Sequence, residues 1–192
     1  VVVASRGVPT WDRSAFMMIN GLPDILQYPL WTPMQMGSLG GSLAAGAVVG
    51  FRGDKDRGVE IAISGVTVWI AAKVIKRIVN RDRPAASIPS TELRIGAADT
   101  GLGFPSGHVA VATTLAAAMS RDRALAVGAA WCAIPGIVGF SRVHVGAHYP
   151  LDVVGGWAAG VVVSRLTATM LGTLRRHLRA TWSRSIVAVP AR

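Results

Sequence analysis

The stretch Gly103-Phe104-Pro105-Ser106-Gly107-His108 runs directly into an uncharged segment, Val109 to Ser120. A loop that opens into a helix leaves the first backbone N–H groups without carbonyl partners. With the positive end of the helix dipole, those donors form an anion site, most naturally for phosphate. Ser106 is suited to the N-cap position, and Gly107 lets an anion approach the backbone closely. His108 then stands beside the anion, where a proton donor is useful. Pro-Ser-Gly-His alone is a weak signal, because any Ser-Gly pair can begin a helix. Its weight comes from two further clusters.

The upstream cluster is Lys76-Arg77-Ile78-Val79-Asn80-Arg81-Asp82-Arg83-Pro84. Lys76 and Arg83 are seven positions apart, two helical turns, and are expected to project from one helix face. Lysine supplies a point charge and arginine a planar fork for two oxygens of one anion. Lys73, Arg77 and Arg81 lie off this spacing and read as an ordinary basic helix end. The downstream cluster is Ser141-Arg142-Val143-His144-Val145-Gly146-Ala147-His148-Tyr149-Pro150-Leu151-Asp152. With Tyr149 held extended by Pro150, His148 precedes a helix and Asp152 falls in its first turn. The carboxylate can accept a hydrogen bond from one imidazole nitrogen, leaving the lone pair of the other free to attack phosphorus. Arg142 adds a second fork. His144 has no such partner by spacing and reads as a loop or supporting residue. These residues alone do not decide which histidine attacks.

The elements that must position these clusters are apolar. Only 16% of the 192 residues are charged and 51% are hydrophobic, against about 25% charged in an average soluble protein. Mean hydropathy is +0.44, which fits a polytopic membrane domain. The formal charge of +10 is the kind that membrane proteins carry in their loops, so no nucleic-acid partner is expected. Cys132 is the single cysteine, which excludes an internal disulfide and a cysteine-rich metal site; no metal or other cofactor is expected.

Trp11 to Leu22 reads as an amphipathic helix in a Trp- and Pro-rich stretch suited to a membrane interface. Met34 to Phe51 reads as one small-residue membrane helix of about 27 Å. A charged loop, 52–57, precedes a second helix, Val59 to Asn80, ended by Arg83-Pro84. A third helix spans Ser106 to Ser120, and a fourth spans Ala124 to Ser141 with a kink at Pro135-Gly136. A loop over 142–149 leads to a fifth helix at about 150–174, and Ser183 onward reads as disordered or interfacial. The expected division is an interfacial segment over 1–33, a membrane-embedded domain over 34–174 and a basic cytoplasmic tail over 175–192. Alternation of spans puts 52–57, 121–123 and the tail on one face, which the positive-inside rule makes cytoplasmic. The three clusters then face outward from the cell membrane.

Lys76 with Arg83, then Pro105-Ser106-Gly107-His108, then Ser141-Arg142 with His148 and Asp152, together resemble the three-part pattern of the type 2 phosphatidic acid phosphatase superfamily over about 76–152. The resemblance implies an all-α fold. Here that means a polytopic bundle of about five transmembrane helices, without the first of six and expected to follow further membrane segments in a longer chain. It also implies metal-independent, two-step hydrolysis of a lipid phosphate or polyprenyl (di)phosphate. His148 would attack, Asp152 would orient it, and His108 would protonate the leaving oxygen and then activate water. Lys76, Arg83, Ser106, the Gly107 N–H and Arg142 would hold the oxygens. The other expectations kept open are a vanadate-dependent haloperoxidase-like oxidase, a phosphotransferase, and a non-catalytic module for lipid-phosphate binding or transport.

Overall fold

Asp54 opens the first long helix: its carboxylate accepts the Arg57 N–H at 3.1 Å, satisfying one of the orphan donors of the first turn. The computed structural model describes residues 7–98 and 100–187, with side chains as far as Thr181. Its described helices, in chain order, are α1 (Thr10–Asn20), α2 (Gln27–Gln35), α3 (Leu39–Phe51), α4 (Lys55–Val79), α5 (Gly107–Ser120), α6 (Leu125–His144) and α7 (Pro150–Val187). Short 3₁₀ turns cover Asp24–Leu26 and Pro84–Ala86. The fold is all-α. Five apolar helices, α3 to α7, form the bundle; α4, α6 and α7 are each long and apolar enough to cross a membrane.

α5 is the centre of the bundle and packs against α4, α6 and α7. Its Val, Ala, Thr and Leu side chains are buried on every side from Val109 to Ala116, as expected for a helix that is apolar all round. Close approach by α7 depends on glycine. A Cβ on Gly156 would sit 2.4 Å from the Ser106 carbonyl oxygen, and one on Gly160 would sit 2.5 Å from Thr113 Cβ. Small residues thus let two backbones meet where larger ones would hold them apart. The outer surface is apolar instead of charged: Val59, Ile63, Val66, Ile70 and Val74 form an exposed stripe along α4, and Val154, Trp157, Val162 and Leu166 expose another side of α7.

Several helix limits differ from the sequence reading, for local reasons. The span expected over 34–51 is two helices. Ser38 is extended, its Oγ donating to the Gln35 carbonyl at 2.8 Å and accepting the Gly41 N–H at 2.9 Å, and α3 starts afresh from that cap. With 13 residues, α3 is about 20 Å long, shorter than a hydrocarbon core of about 30 Å. The charged segment 52–57 is a loop only to Asp54, since Lys55 to Arg57 form the first turn of α4. That helix ends at Asn80, in the left-handed conformation (φ 50°, ψ 46°), an end that asparagine tolerates. It therefore stops before Arg83-Pro84. α6 remains helical through Pro135 and as far as His144, so Arg142 is helical and the following loop is only 145–149. α7 continues past 174 to Val187, taking the basic run Arg175 to Arg179 with it. Of the stretch expected to be irregular from Ser183, 183–187 are helical and 188–192 lie outside the described residues. Likewise, α2 runs across the expected boundary between 33 and 34.

The two ends of the bundle differ. At one end, Arg121 makes paired bonds of 2.8 and 2.7 Å to the Glu60 carboxylate, and Arg57 donates to the Arg121 carbonyl at 3.3 Å. Arg175 reaches Asp56 at 3.3 Å there. The segments 52–57, 121–123 and the lower part of α7 are thus neighbours. The three motif clusters gather at the other end.

Candidate active site

Lys76 sits in the last turn of α4 and donates to the carbonyls of Leu102 at 2.6 Å and Gly103 at 2.9 Å. Arg83 is not on that helix. After the turn at Asn80 the chain runs antiparallel to the loop before α5, with Asp82 bridged to Leu102 and the Gly103 N–H donated to the Arg81 carbonyl at 2.6 Å. Arg83 therefore reaches the site from an extended segment, donating to the Ala147 carbonyl at 3.0 Å. The two cations converge because the chain turns, not because they share a helix face.

Ser106 occupies the N-cap position of α5 with extended backbone, but its side chain makes no capping bond. Its N–H is donated to the Asp152 carbonyl at 2.8 Å. Its Oγ is fully buried and has no hydrogen-bond partner in the protein. The same holds for Nε of Arg142, which is 3% exposed and donates from Nη1 to the Gly96 carbonyl at 2.8 Å. Buried donors without a protein acceptor are uncommon and costly, and these two are available to a ligand's oxygens. No atom lies within 4 Å of where a Cβ would stand on Gly107, so the backbone there is open to approach.

His148 is 2% exposed, with Nδ1 3.5 Å from Oδ2 of Asp152. That separation is a polar contact too long for a well-formed hydrogen bond, and Nδ1 has no hydrogen-bond partner among the described residues. The carboxylate itself is firmly held: Oδ2 accepts the Tyr149 N–H at 2.9 Å and Oδ1 accepts from Arg81 Nη1 at 2.7 Å. Burial pushes the His148 imidazole well below its ordinary range, and the charges of Arg142, Lys76 and Arg83 push it the same way; a hydrogen bond with the Gly103 backbone pulls weakly against them. The neutral ring is thereby favoured at neutral pH, with a lone pair available. His108 lies within electrostatic range of Arg142, His148, Arg83 and Lys76. The eight residues singled out in the sequence meet at one end of the bundle.

Others joined them without warning. Arg81, read as an ordinary basic residue, is 4% exposed and bridges Asp152 to Asp12 of α1. Asp12, Phe16 and Asn20 form the buried face of α1, and this i, i+4, i+8 row of two polar residues and one aromatic was the available signal. Asn20 donates to the carbonyls of Glu92 and His144, each at 2.9 Å, and Arg94 donates to the His144 carbonyl at 2.6 Å. His144 is thus part of the support, its backbone tying α6 to α1 and to the 85–104 loop.

The arrangement is an all-helical apolar bundle with two histidines and three cations gathered at one end. Residues 58–176 match the family model of the PAP2 superfamily, and the chain belongs to that superfamily. It is 31% identical over 128 residues to an undecaprenyl-diphosphatase from Sulfolobus acidocaldarius, covering 64% of this chain and 59% of that one. Over 86 residues it is 41% identical to a decaprenylphosphoryl-5-phosphoribose phosphatase from Mycolicibacterium smegmatis, covering 45% of this chain and 44% of the relative. The chain thus spans between two fifths and three fifths of the length of these relatives. Among solved structures, Aquifex aeolicus LpxE superposes with a TM-score of 0.73 at 24% identity, over 81% of this chain and 93% of that one, a likeness of fold.

Proposed function

We propose that the chain is a membrane phosphatase that hydrolyses a lipid phosphate or polyprenyl (di)phosphate through a phosphohistidine, without a metal ion. The observation that carries this reading is the buried His148, placed beside a carboxylate that is itself held and among Lys76, Arg83 and Arg142. Because Nδ1 faces Asp152, Nε2 is the attacking nitrogen. Its lone pair forms a bond to phosphorus while the bond to the leaving oxygen breaks. Burial and then Arg142 hold the free His108 well below its ordinary range, to about 3, so His108 takes up a proton with the anionic phosphate, whose charge offsets those cations, and delivers it to the leaving oxygen. In the second step His108 takes a proton from water. The hydroxide attacks phosphorus, the P–N bond breaks, and inorganic phosphate leaves with His148 neutral again. Lys76, Arg83, Arg142, the Ser106 hydroxyl and the Gly107 N–H hold the equatorial oxygens as charge redistributes.

A lipid substrate is favoured by what borders the site. An apolar groove of about 550 Å³ between α4 and α7 is lined by Phe104 and by Pro105 and Leu151, the chain neighbours of Ser106 and Asp152. It continues down past Ile75, Val154 and Ala158, so a tail can stay in an apolar setting while its phosphate reaches the cations. The names of the two relatives, both phosphatases of prenyl-linked phosphates, support the same class.

The test is release of inorganic phosphate in detergent micelles from phosphatidate, lysophosphatidate and a polyprenyl diphosphate, with EDTA throughout, for wild type and His148→Ala. Release by wild type alone is expected. Activity abolished by EDTA and restored by Mg²⁺ would overturn the metal-free mechanism, and equal silence from two folded proteins would overturn the phosphatase reading.

A further inference from the structure

We infer that Asp12 and Arg81 are positioning residues for the reaction, forming a relay by which the N-terminal helix α1 sets the orientation and charge of Asp152. This rests on the phosphatase reading above, and it extends the site to a helix outside the 58–176 stretch that matches the family. The arrangement is a line of three buried charges. Asp12 and Asp152 are 0% exposed and Arg81 is 4% exposed. Arg81 donates from Nη1 to Asp152 Oδ1 at 2.7 Å and from Nη2 to Asp12 Oδ2. Its guanidinium lies 4.6 Å from the centre of the Tyr149 ring, which Phe16 of α1 meets edge-on at 5.3 Å. The Tyr149 hydroxyl is tied to Ser87 at 2.8 Å.

Two consequences follow from this geometry. A planar fork anchored at both ends cannot turn, so the Asp152 carboxylate keeps the oxygen facing His148 where it is. Asp12 also accepts the Leu151 N–H at 2.8 Å, holding one of the unpaired donors at the start of α7, next to Asp152. The second consequence is electrostatic. The charged and titratable groups around His148 and Asp152 are Lys76 from α4, Arg81 and Arg83 from the turn after it, His108 from α5, Arg142 from α6 and Asp12 from α1. Arg81 divides its charge between two carboxylates, so Asp152 retains net negative charge with which to balance the proton or phosphoryl group that His148 acquires. A buried ion pair is by itself weak evidence of a stability role, whereas this one ends on the residue that faces the nucleophile.

The experiment compares purified, monodisperse Asp12→Asn and Arg81→Lys with wild type and His148→Ala, measuring kcat, KM and the pH dependence of phosphate release. Asp12→Asn keeps an oxygen for the Leu151 N–H but removes a negative charge. It is expected to lower kcat about 10- to 100-fold, as small misplacements in active sites do, with KM within about 2-fold, and to move the acid limb of the profile to lower pH. Arg81→Lys keeps the charge but cannot bridge both carboxylates. It is expected to lower kcat similarly with the acid limb unmoved. A purely structural pair would reduce the yield or melting temperature while leaving kcat and the profile of the folded protein unchanged, and that result would overturn the inference. If Arg81→Lys does not fold, Asp12→Asn alone decides by the same two readouts. A wild type no more active than His148→Ala would fell the phosphatase reading and this inference with it, a pattern distinct from an active wild type with unaltered variants.

Discussion

His148 illustrates how much of the chemistry resides in single residues and their near neighbours. An exposed histidine is half protonated near pH 6.5, and protonation would remove the lone pair on which the proposed attack depends. Here burial, then Arg142, Lys76 and Arg83, disfavour the cation. The sign follows directly: as pH falls through 6.5 the ring stays neutral, and it is lost as a nucleophile only at its lower native value. We therefore expect the acid limb of kcat/KM to lie below pH 6.5, once corrected for the second ionisation of a phosphate substrate at about 6. An acid limb at or above 6.5 would argue against a neutral His148 as the attacking group. The eight motif residues were legible in the sequence because each cluster is local, with its members a few positions apart. Arg81 and Asp12 were not. Their partners lie 71 and 69 positions away from Arg81, and nothing in a run of basic residues distinguishes the one that turns inward.

At the scale of elements, hydropathy identified the apolar segments but not where they end. Ends are set by side-chain bonds and single backbone angles, as at Ser38, Asp54 and Asn80, which contribute little to an average over a window. Packing between helices was equally hidden, although it is what carries Asp152 to the start of α5. α7 approaches α5 through Gly156 and Gly160, and Asp152 lies one and two turns above them on the same helix. Gly160→Ala would place a methyl 2.5 Å from Thr113 Cβ and 2.7 Å from the Ala110 carbonyl. The helices must then separate, at a cost of about 1–3 kcal/mol, and a lower melting temperature in detergent is expected together with reduced turnover. Gly136→Ala in α6 is the control, since nothing lies within 4 Å of its Cβ position. It should be neutral or stabilising by up to about 1 kcal/mol, because alanine favours the helix. Equal melting temperatures for the two variants would show that α7 does not depend on this close contact.

The whole molecule has a polarity that neither residues nor single helices reveal. Its two ends both carry cations, but in different states. At the site end Lys76, Arg81, Arg83, Arg94 and Arg142 all donate to protein carbonyls or carboxylates, and Lys76, Arg83 and Arg142 lie around His108 and His148. At the other end Arg52, Lys55, Arg123, Arg176 and Arg179 are exposed, and loop cations of this kind are what hold a segment on the cytoplasmic side. The site should then open on the extracytoplasmic face of the membrane. Two positions suit a direct test, Ser90 in the loop before α5 and Arg123 between α5 and α6, both exposed and at opposite ends. In a Cys132→Ser background, Ser90→Cys should react with a membrane-impermeant maleimide in intact cells, and Arg123→Cys only after lysis. The reverse pattern would place the anion site in the cytoplasm, where its substrate would have to be presented from the inner leaflet. Labelling of Ser90→Cys alone in intact cells would instead place the site on the outer face, so that under the proposed reading a lipid phosphate would have to be presented from the outer leaflet.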